Sequence, residues 1–470
     1  MENFYEYEEE YRDSIGTVDK EGKRLWVYPK KPKGKFYTKR GIVATILLGL
    51  LFSGPFIKIG GQPLLLFNIF ERKFVLLGIP FWPQDFYLFG LATITLFVFI
   101  ILFTVVFGRV WCGWACPQTI FMELVFRKIE YFIDGDAKQQ RKLKAAPWGT
   151  KKFTKRIAKY SIFMAISILI AHTFMAYLIG IEGVIHIVTT SPFENWSGFL
   201  GTVFFTGVFF WVFAYFREQA CIAVCPYGRL QGVLMNKDSM AVTYDFNRGE
   251  PRGKISKGQV DVEKGDCIDC KLCVHVCPTG IDIRNGSQLE CVNCTACMDV
   301  CDEVMLKIDK PTGLIRLASY NNIVEGTKKI FTTRVLGYTL VLSVLVIALS
   351  IFLTNRSTIG ATALRVPGQL YQKTANGDIQ NLINISFINK SFEPIDLEVK
   401  IRDFPNAAIV KVGKTGIHLN ANSTFEAVFF IIMGTEDLNG PKTPFVIDVY
   451  KDGELVNSTE TNFLGPFKFN

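Results

Sequence analysis

Twelve cysteines in four spaced groups constrain this chain more than any other feature of its 470 residues. Eight of them form two runs with the spacing C-x2-C-x2-C-x3-C, and the second run begins fourteen residues after the first ends. The first run is Cys267, Cys270, Cys273 and Cys277, and the second is Cys291, Cys294, Cys297 and Cys301. Thiols this close in sequence predict a segment that folds around metal centres held by cysteine thiolates.

The double run predicts a ferredoxin-like insert at about residues 258–310 that holds two [4Fe–4S] clusters. In the bacterial two-cluster pattern, three closely spaced thiolates bind one cluster and the remote fourth binds the other. We therefore assign one cluster to Cys267, Cys270, Cys273 and Cys301, and the second to Cys291, Cys294, Cys297 and Cys277. Zinc is the alternative for four-cysteine sites, but it usually takes two short C-x2-C knuckles.

The other four cysteines form two C-x3-C-P pairs, Cys112/Cys116 and Cys221/Cys225, which lie 109 residues apart. Each pair follows an apolar run, so the chain contains two copies of one hairpin unit. If the segment is helical, the i, i+4 spacing puts both sulfurs on one face, and the proline begins a new turn. Paired hairpins would bring four thiolates together, a catalytic or metal-binding set suited to copper(I), a third iron–sulfur cluster or zinc. The alternative is a small residue in a packed turn.

Apolar runs predict five membrane-spanning helices, because each is near the roughly 17–25 residues that cross a bilayer. They are residues 41–56, 86–107, 158–180, 198–216 and 335–353. The chain is 49% hydrophobic but 20% charged, which indicates a few spans joined to large water-facing parts.

Basic residues predict the orientation of these spans. Arg127, Lys142, Lys155 and others crowd the loop between the second and third spans, whereas residues 181–197 contain none. The positive-inside rule places the N-terminus and residues 218–332 in the cytoplasm and the residues after 355 outside, in a bacterial periplasm. Topology thus accounts for the net charge of +9, and nucleic acid is not an expected partner.

The C-terminal residues 356–470 have a period-two pattern instead of long apolar runs. Four such runs cover residues 382–388, 395–401, 427–432 and 444–450, and turn signals such as Asn376-Gly377 and Asp452-Gly453 punctuate the segment. This spacing predicts an antiparallel β-sandwich.

His172 lies well inside the third predicted span, where an ionisable residue is a functional-site candidate by default. Met164 and Met175 fall near the same helical face, so one hypothesis is a His/Met metal site or haem ligation. The other hypothesis is a hydrogen-bonded histidine beside two packing methionines.

Several stretches together resemble one known family. They are Gly60-Gly61-Gln62-Pro63, Arg72-Lys73-Phe74, Pro83-Gln84-Asp85-Phe86, Trp111-Cys112-Gly113-Trp114-Ala115-Cys116-Pro117 and Cys225-Pro226-Tyr227-Gly228-Arg229. They resemble the accessory proteins of cbb3-type cytochrome c oxidase, the CcoG/FixG/RdxA family of membrane polyferredoxins. The resemblance implies an immunoglobulin-like fold for residues 356–470. It also implies an iron–sulfur protein that reduces Cu(II) to Cu(I) while a copper-containing oxidase is assembled.

The sequence thus predicts a multi-domain, multi-pass protein of a bacterial inner membrane. Its parts are a cytoplasmic tail (1–40), a four-helix transmembrane region (41–217), a cytoplasmic segment with the ferredoxin insert (218–332), a fifth span (333–355) and a periplasmic sandwich (356–470). The expected function is electron transfer, as a cupric reductase. Expected partners are copper ions, a cytoplasmic electron donor, oxidase subunits or assembly factors, and membrane lipid. The alternatives are a membrane relay to quinone or a periplasmic redox partner, and a non-catalytic assembly scaffold.

Overall fold

The structure, a computed structural model, describes residues 17, 21, 23–69, 73–82, 85–254, 264–327, 329–368, 370–391, 393–413 and 416–466. Arg72, Pro83 and Gln84, much of the predicted tail and the predicted start of the ferredoxin insert near residue 258 lie outside this set. The chain divides into two compact units. Unit 1 comprises residues 1–57 and 91–346, and unit 2 comprises residues 58–90 and 347–470.

The helices follow the apolar runs and the cysteine motifs. They are α1 (Lys35–Ser53), α2 (Phe86–Phe107), α3 (Val110–Trp114), α4 (Pro117–Ile120), α5 (Arg127–Ile133), α6 (Ala137–Ala145), α7 (Thr150–Thr189), α8 (Trp196–Trp211), α9 (Pro226–Leu234), α10 (Phe246–Gly249), α11 (Leu272–Val276), α12 (Ala296–Lys307), α13 (Tyr320–Glu325) and α14 (Thr333–Thr354). Wider π-type turns occupy Phe121–Phe126, Val212–Phe216 and Ala220–Val224. Short 3₁₀ turns occupy Gly54–Phe56, Ile283–Asn285 and Thr435–Asp437.

Five helical segments among the described residues are long and apolar enough to cross a membrane, which confirms the five predicted spans. They are Lys35–Phe56, Phe86–Phe107, Thr150–Thr189, Trp196–Phe216 and Thr333–Thr354. The third is longer than the predicted 158–180, because the helix continues on both sides of the apolar run. Its backbone nevertheless breaks at Gly180, where φ is 79°, a conformation that glycine adopts without steric cost.

The strands are β1 (Lys58–Ile59), β2 (Gln62–Pro63), β3 (Leu65–Asn68), β4 (Lys73–Leu76), β5 (Ile79–Phe81), β6 (Ala241–Tyr244), β7 (Ile315–Ala318), β8 (Ile359–Arg365), β9 (Gln372–Lys373), β10 (Ile379–Asn389), β11 (Ile395–Ile401), β12 (Ala408–Lys411), β13 (Ile417–Leu419), β14 (Thr424–Met433), β15 (Lys442–Lys451) and β16 (Glu454–Leu464). Of these, β6 and β7 pair within unit 1, and all the others belong to unit 2.

The C-terminal part of unit 2 is a sandwich of two antiparallel sheets, as predicted. One sheet has the order β12-β14-β10-β8 with β9 paired to β10, and the other has the order β13-β11-β15-β16. Alternate residues point into one core, where Ile383, Ile385 and Phe387 of β10 are fully buried with Ile447 of β15. All four predicted period-two runs lie within strands.

The segment between the first two spans also belongs to unit 2, and it forms a β1-β2 hairpin and a β3-β4-β5 sheet that the sequence did not predict. Asp85, which follows this sheet, is 2% exposed. Its carboxylate accepts hydrogen bonds from Arg356 at 2.6 Å and Lys390 at 2.7 Å. These buried ion pairs attach the segment to the sandwich within unit 2.

Candidate functional site

The two C-x3-C-P pairs have the same backbone course. Each preceding span is followed directly by a residue with positive φ, Gly108 (56°) or Arg217 (53°), and these two residues lie 109 residues apart, like the cysteines. Cys116 and Cys225 are each an extended residue directly before a helix, and the following proline is its first residue. The proline therefore begins a new turn as predicted. The second cysteine of each pair is extended rather than helical, so the two sulfurs of a pair do not share one helical face.

The structure brings Cys112, Cys116, Cys221 and Cys225 together, and we refer to these four as the thiol quartet. Burial raises the pKa of Cys221 to about 12 and the pKa of Cys112 to about 11. Repulsion from other thiols of the quartet contributes to both increases, which requires the sulfurs to be neighbours. The Cys112 thiol also donates to Gln231 Oε1 at 3.3 Å. Burial therefore keeps these thiols protonated without a metal, and a bound metal would convert them to thiolates.

The two cysteine runs of the ferredoxin insert repeat one local fold at a spacing of 24 residues. Asp269 and Lys271 have φ values of 51° and 56°, and the matching Asn293 and Thr295 have 52° and 63°. Left-handed residues between cysteines turn successive backbone N–H groups toward one concave side, which is the kind of nest that holds iron–sulfur clusters. Helices α11 and α12 begin directly after these turns and pack against each other.

The cysteines of the insert line two cavities in a crossed arrangement. One cavity is lined by Cys267, Cys270, Cys273 and Cys301. The second is lined by Cys277, Cys291, Cys294 and Cys297, with Cys273 at its edge. Each cavity thus combines three cysteines of one run with the last cysteine of the other, so the donors present fit two four-thiolate clusters.

The two runs differ at the residue after the last cysteine. Pro278 follows Cys277 and α11 ends at Val276, because a residue before proline is disfavoured in the helical region. Asp302 stands at the matching position, and α12 continues through it to Lys307. The Asp302 carboxylate accepts a hydrogen bond from the Gly313 N–H at 2.7 Å. The change lengthens a helix without removing a thiol.

The loop from Cys112 to Cys116 packs directly on the loop from Cys291 to Cys294, which lines the second cluster cavity. A Cβ atom on Gly113 would lie 2.5 Å from the Val292 carbonyl oxygen and 2.7 Å from that of Asn293. Gly113 lies between Cys112 and Cys116, and Val292 lies between Cys291 and Cys294. The absence of a side chain at Gly113 therefore lets the two cysteine loops touch backbone to backbone.

Two arginines bridge the same junction. Arg40 of α1 is 2% exposed, and its Nε donates to the Gly113 carbonyl at 2.6 Å. Arg109 donates to the carbonyl groups of Leu289 and of Gly228, at 2.5 Å for the latter. Burial raises the pKa of Cys294 to about 11 and that of Cys291 to about 12, and the charges of Arg40 and Arg109, respectively, oppose this increase. Both cations therefore favour thiolates in the second cluster cavity.

A buried network of ion pairs lies next to the Cys221/Cys225 pair and joins the two hairpin units. Its central pair is Arg217 with Glu130, joined by two hydrogen bonds of 2.7 and 2.8 Å. Lys159 contacts Asp134 at 2.8 Å and Glu130 at 3.6 Å. The outer pairs are Arg127–Glu123, Arg127–Glu218, Arg24–Glu218 and Arg156–Asp134. Arg217 itself has φ 53° and ψ −124°, a strained conformation for a residue with a Cβ.

Residues 24–34 contact both the region of the thiol quartet and the ferredoxin insert. Lys30 N–H donates to the His275 carbonyl at 2.8 Å, and Lys31 N–H donates to Asp136 at 2.9 Å. Where the segment enters α1, the Asp299 carboxylate accepts from the N–H groups of Phe36 (3.0 Å) and Tyr37 (2.8 Å). A carboxylate at a helix N-terminus satisfies free N–H groups and complements the helix dipole.

The third predicted set, His172 with Met164 and Met175, has no comparable surroundings. The His172 ring bonds to the Ile168 carbonyl of its own helix at 2.8 Å. Met175 is buried in a cluster with Ala176 and Val184, whereas Met164 is 39% exposed. In the described part of the chain, no three His, Cys, Asp or Glu side chains are placed to hold a single metal ion as they stand.

Sequence reasoning missed Gly113, Arg40, Arg109, Gln231 and Asn293. The signal for Arg40 was an arginine next to an apolar run, and that for Gly113 was a glycine inside a cysteine motif. Neither signal indicates which residue Arg40 or Gly113 contacts, because the contacting residues lie far away in the sequence.

Family models match three parts of the chain. The one described as "4Fe-4S binding domain" covers residues 89–142, "4Fe-4S dicluster domain" covers residues 216–320, and the model of the IG-like fold at the C-terminal of FixG covers residues 349–466. These matches confirm iron–sulfur domains and an immunoglobulin-like C-terminal fold.

Three curated relatives match much of the chain. Protein RdxB of Cereibacter sphaeroides is 34% identical over 431 residues, which is 88% of this chain and 90% of RdxB. Protein RdxA of the same organism is 34% identical over 387 residues, which is 79% of this chain and 81% of RdxA. The nitrogen fixation protein FixG of Rhizobium meliloti is 33% identical over 313 residues, or 64% of this chain and 58% of FixG.

Proposed function

Because the chain belongs to the FixG/RdxA family of membrane iron–sulfur proteins, we propose that its electron transfer serves to reduce Cu(II) to Cu(I) at the thiol quartet. The product would supply the assembly of a cbb3-type cytochrome c oxidase. One observation carries this proposal, namely the contact of the quartet loop at Gly113 with the second cluster loop at Val292 and Asn293.

The side chains present support cluster binding and copper chemistry at adjacent places. Cys267, Cys270, Cys273 and Cys301 would hold one [4Fe–4S] cluster, and Cys277, Cys291, Cys294 and Cys297 would hold the second. When bound, such clusters supply one-electron transfer at a potential tuned by burial and hydrogen bonds to sulfur. Arg40 and Arg109 place positive charge at the junction and hold its carbonyl groups in position.

The thiol quartet is suited to copper as a substrate. Soft thiolate ligands select Cu(I), so a site that binds the ion also favours its reduced form. Each Cu(II) takes up one electron and becomes Cu(I), and no proton transfer is required for the metal itself. Gln231 accepts from Cys112 through Oε1, and its buried Nε2 has no protein partner among the described residues. That free N–H is available to stabilise a thiolate of the loaded site.

A second candidate is an electron relay with a third iron–sulfur cluster at the quartet. The match of residues 89–142 to a 4Fe-4S binding domain favours it, because this range contains Cys112 and Cys116. In a cubane cluster each thiolate binds a different iron atom, so four separated sulfurs would suit it. The acceptor would then be quinone or a periplasmic redox protein.

The arrangement in the membrane follows from loop charge. We place both cluster cavities and the N-terminus in the cytoplasm and the sandwich in the periplasm, because basic residues cluster between α5 and α7. The copper site would then lie near the inner membrane surface, and electrons would not need to cross roughly 30 Å of hydrocarbon. A cytoplasmic donor would supply the electrons, and oxidase subunits or assembly factors would be the other partners.

The test uses the full chain, purified without oxygen. Iron is counted, the protein is reduced with dithionite, excess reductant is removed, and Cu(II) is added while a Cu(I) chelator reports the product. The variant with Cys112, Cys116, Cys221 and Cys225 changed to Ser should keep its iron and lose copper reduction, whereas the neighbouring Trp111→Phe control should keep both. Lower iron in the fourfold variant would favour the relay. Unchanged copper reduction in that variant would contradict the assignment of the site.

A further inference from the structure

A cavity of about 500 Å³ opens in unit 1 beside the second cluster loop. This volume lies within the roughly 300–1,000 Å³ typical of small-molecule sites. Most of its wall is apolar, with Val233, Met235, Ala241, Val242 and Leu289. Cys291 also lines it, so any occupant lies next to a predicted ligand of the second cluster.

The wall also contains polar groups, and one of them is the buried Asn293. Asn293 is 2% exposed, and its Oδ1 accepts from the Val242 N–H at 3.2 Å. Its Nδ2 has no protein partner among the described residues. Leaving a buried donor unpaired costs about 1–3 kcal/mol, so an acceptor atom that reached this N–H group would be stabilised. Arg109 and Arg229 also line the cavity. The Arg109 guanidinium donates to backbone carbonyl groups.

The cavity lies at the end of a membrane-spanning helix. Ser239 Oγ donates to the Val105 carbonyl at 2.6 Å, and Met240 N–H donates to that of Val106 at 3.1 Å. These bonds tie the segment between α9 and β6 to the last turn of α2. On α9, Leu230 is 45% exposed and Val233 is 81% exposed. Exposed apolar side chains beside a span end are typical of a surface that meets lipid.

We propose that this cavity binds the head group of an isoprenoid quinol, which serves as the electron donor. A quinone carbonyl would accept from Asn293 Nδ2, the ring would contact the apolar wall, and the tail would leave along α9. The quinol becomes a quinone by releasing two electrons and two protons. The protein's oxidised iron–sulfur clusters take up the electrons one at a time, and the protons leave to solvent through the open cavity mouth.

This inference rests on the second of the proposed clusters but not on copper. It also changes the donor, since a lipid-borne quinol replaces a cytoplasmic protein. An anionic nucleotide is disfavoured as the occupant because most of the wall is apolar. Arg109 and Arg229 also line the cavity and are the cations that such a ligand would use, so competition by a nucleotide tests this alternative.

The experiment uses the full chain in lipid nanodiscs with a photoreactive azidoquinone and with a short-chain naphthoquinol. Irradiation should attach the azidoquinone to peptides that cover residues 226–243. Naphthoquinol should reduce the clusters, which is measured as a loss of absorbance in the visible iron–sulfur band. Val233→Trp and Leu289→Trp each fill the cavity from an exposed residue outside the cysteine runs. Both should lower labelling and the rate of reduction by about tenfold or more, with unchanged iron content. Val324→Trp on α13, outside the cavity, should change neither.

The outcomes separate this inference from the proposed function. Dithionite-reduced Val233→Trp should still reduce Cu(II), because only the supply of electrons is blocked. Labelling at another site, or labelling unaffected by both cavity variants, would overturn the quinol site. Competition by a flavin nucleotide, but not by quinone, would also overturn it and indicate a nucleotide instead.

Discussion

The buried Arg217–Glu130 pair allows the sharpest test of how the fold positions the thiol quartet. Glu130 is 5% exposed and accepts two hydrogen bonds from Arg217, the residue whose strained backbone precedes the second C-x3-C-P pair. Glu130→Gln keeps the shape of the side chain but leaves the Arg217 guanidinium buried without its carboxylate. We therefore expect lower stability and a looser Cys221 turn.

The magnitude follows from the pKa of Glu130. Burial alone would raise that pKa, but Arg217, with help from Lys159, lowers it from 4.5 to about 2. A difference of this size corresponds to roughly 3 kcal/mol of stability, at the low end of the about 3–5 kcal/mol that removing one partner of a buried pair costs. Because the pKa is lowered on folding, this stability is present above about pH 4.5 and is lost as the pH falls toward 2.

The assay is reversible unfolding of the full chain in mixed detergent micelles between pH 7 and pH 3. Glu130→Gln should lower the free energy of unfolding by about 3 kcal/mol at pH 7 and flatten its decrease at low pH. Glu303→Gln is the matched control, because its pair with Lys307 is exposed and an exposed helical pair is worth only about 0.3–0.5 kcal/mol. Equal stability of Glu130→Gln and wild type, or an identical decrease at low pH, would refute the reasoning.

Three further predictions concern contacts between segments. Gly113→Ala puts a Cβ atom 2.5 Å from a backbone oxygen of the second cluster loop, so it should slow copper reduction at unchanged iron content, measured by Cu(I) chelation; an unchanged rate would show that the contact does not matter. Asp299→Ala removes the acceptor for two N–H groups of α1, so it should cost about 1 kcal/mol and speed hydrogen exchange at residues 36–40, whereas Glu303→Ala should not. Asp85→Asn leaves two buried cations in unit 2 without their carboxylate, so it should destabilise that unit by about 3–5 kcal/mol, measured by proteolysis of the sandwich; equal proteolysis rates would contradict it.

The helices and the sandwich were predictable because their signals are local. An apolar run of bilayer length requires no partner to be recognised, and α2 begins and ends where the sequence predicts. In the same way, β11 matches the predicted run 395–401 residue for residue. The small sheets at Lys58–Phe81 were missed, because their strands have only two to four residues and no period can be seen over so few.

The candidate site was predictable in its donors but not in its surroundings. The crossed arrangement of the eight ferredoxin cysteines was predictable, because their spacing is that of the bacterial two-cluster pattern, in which the remote fourth thiolate belongs to the other cluster. The strained backbone of Arg217 was not predictable, because only the observed dihedral angles reveal it. The same holds for Asn293 Nδ2, which has no protein partner among the described residues.

The sequence by itself determined the redox class of this protein, its five spans and its β-sandwich. Each of these depends on residues close together in the chain, where covalent spacing fixes the geometry. The tertiary structure alone decided which of the two cluster cavities meets the thiol quartet. Those contacts join Gly113 to Asn293 and Arg40 to Gly113, across 180 and 73 residues of chain, and only packing of the folded helices brings such distant residues together.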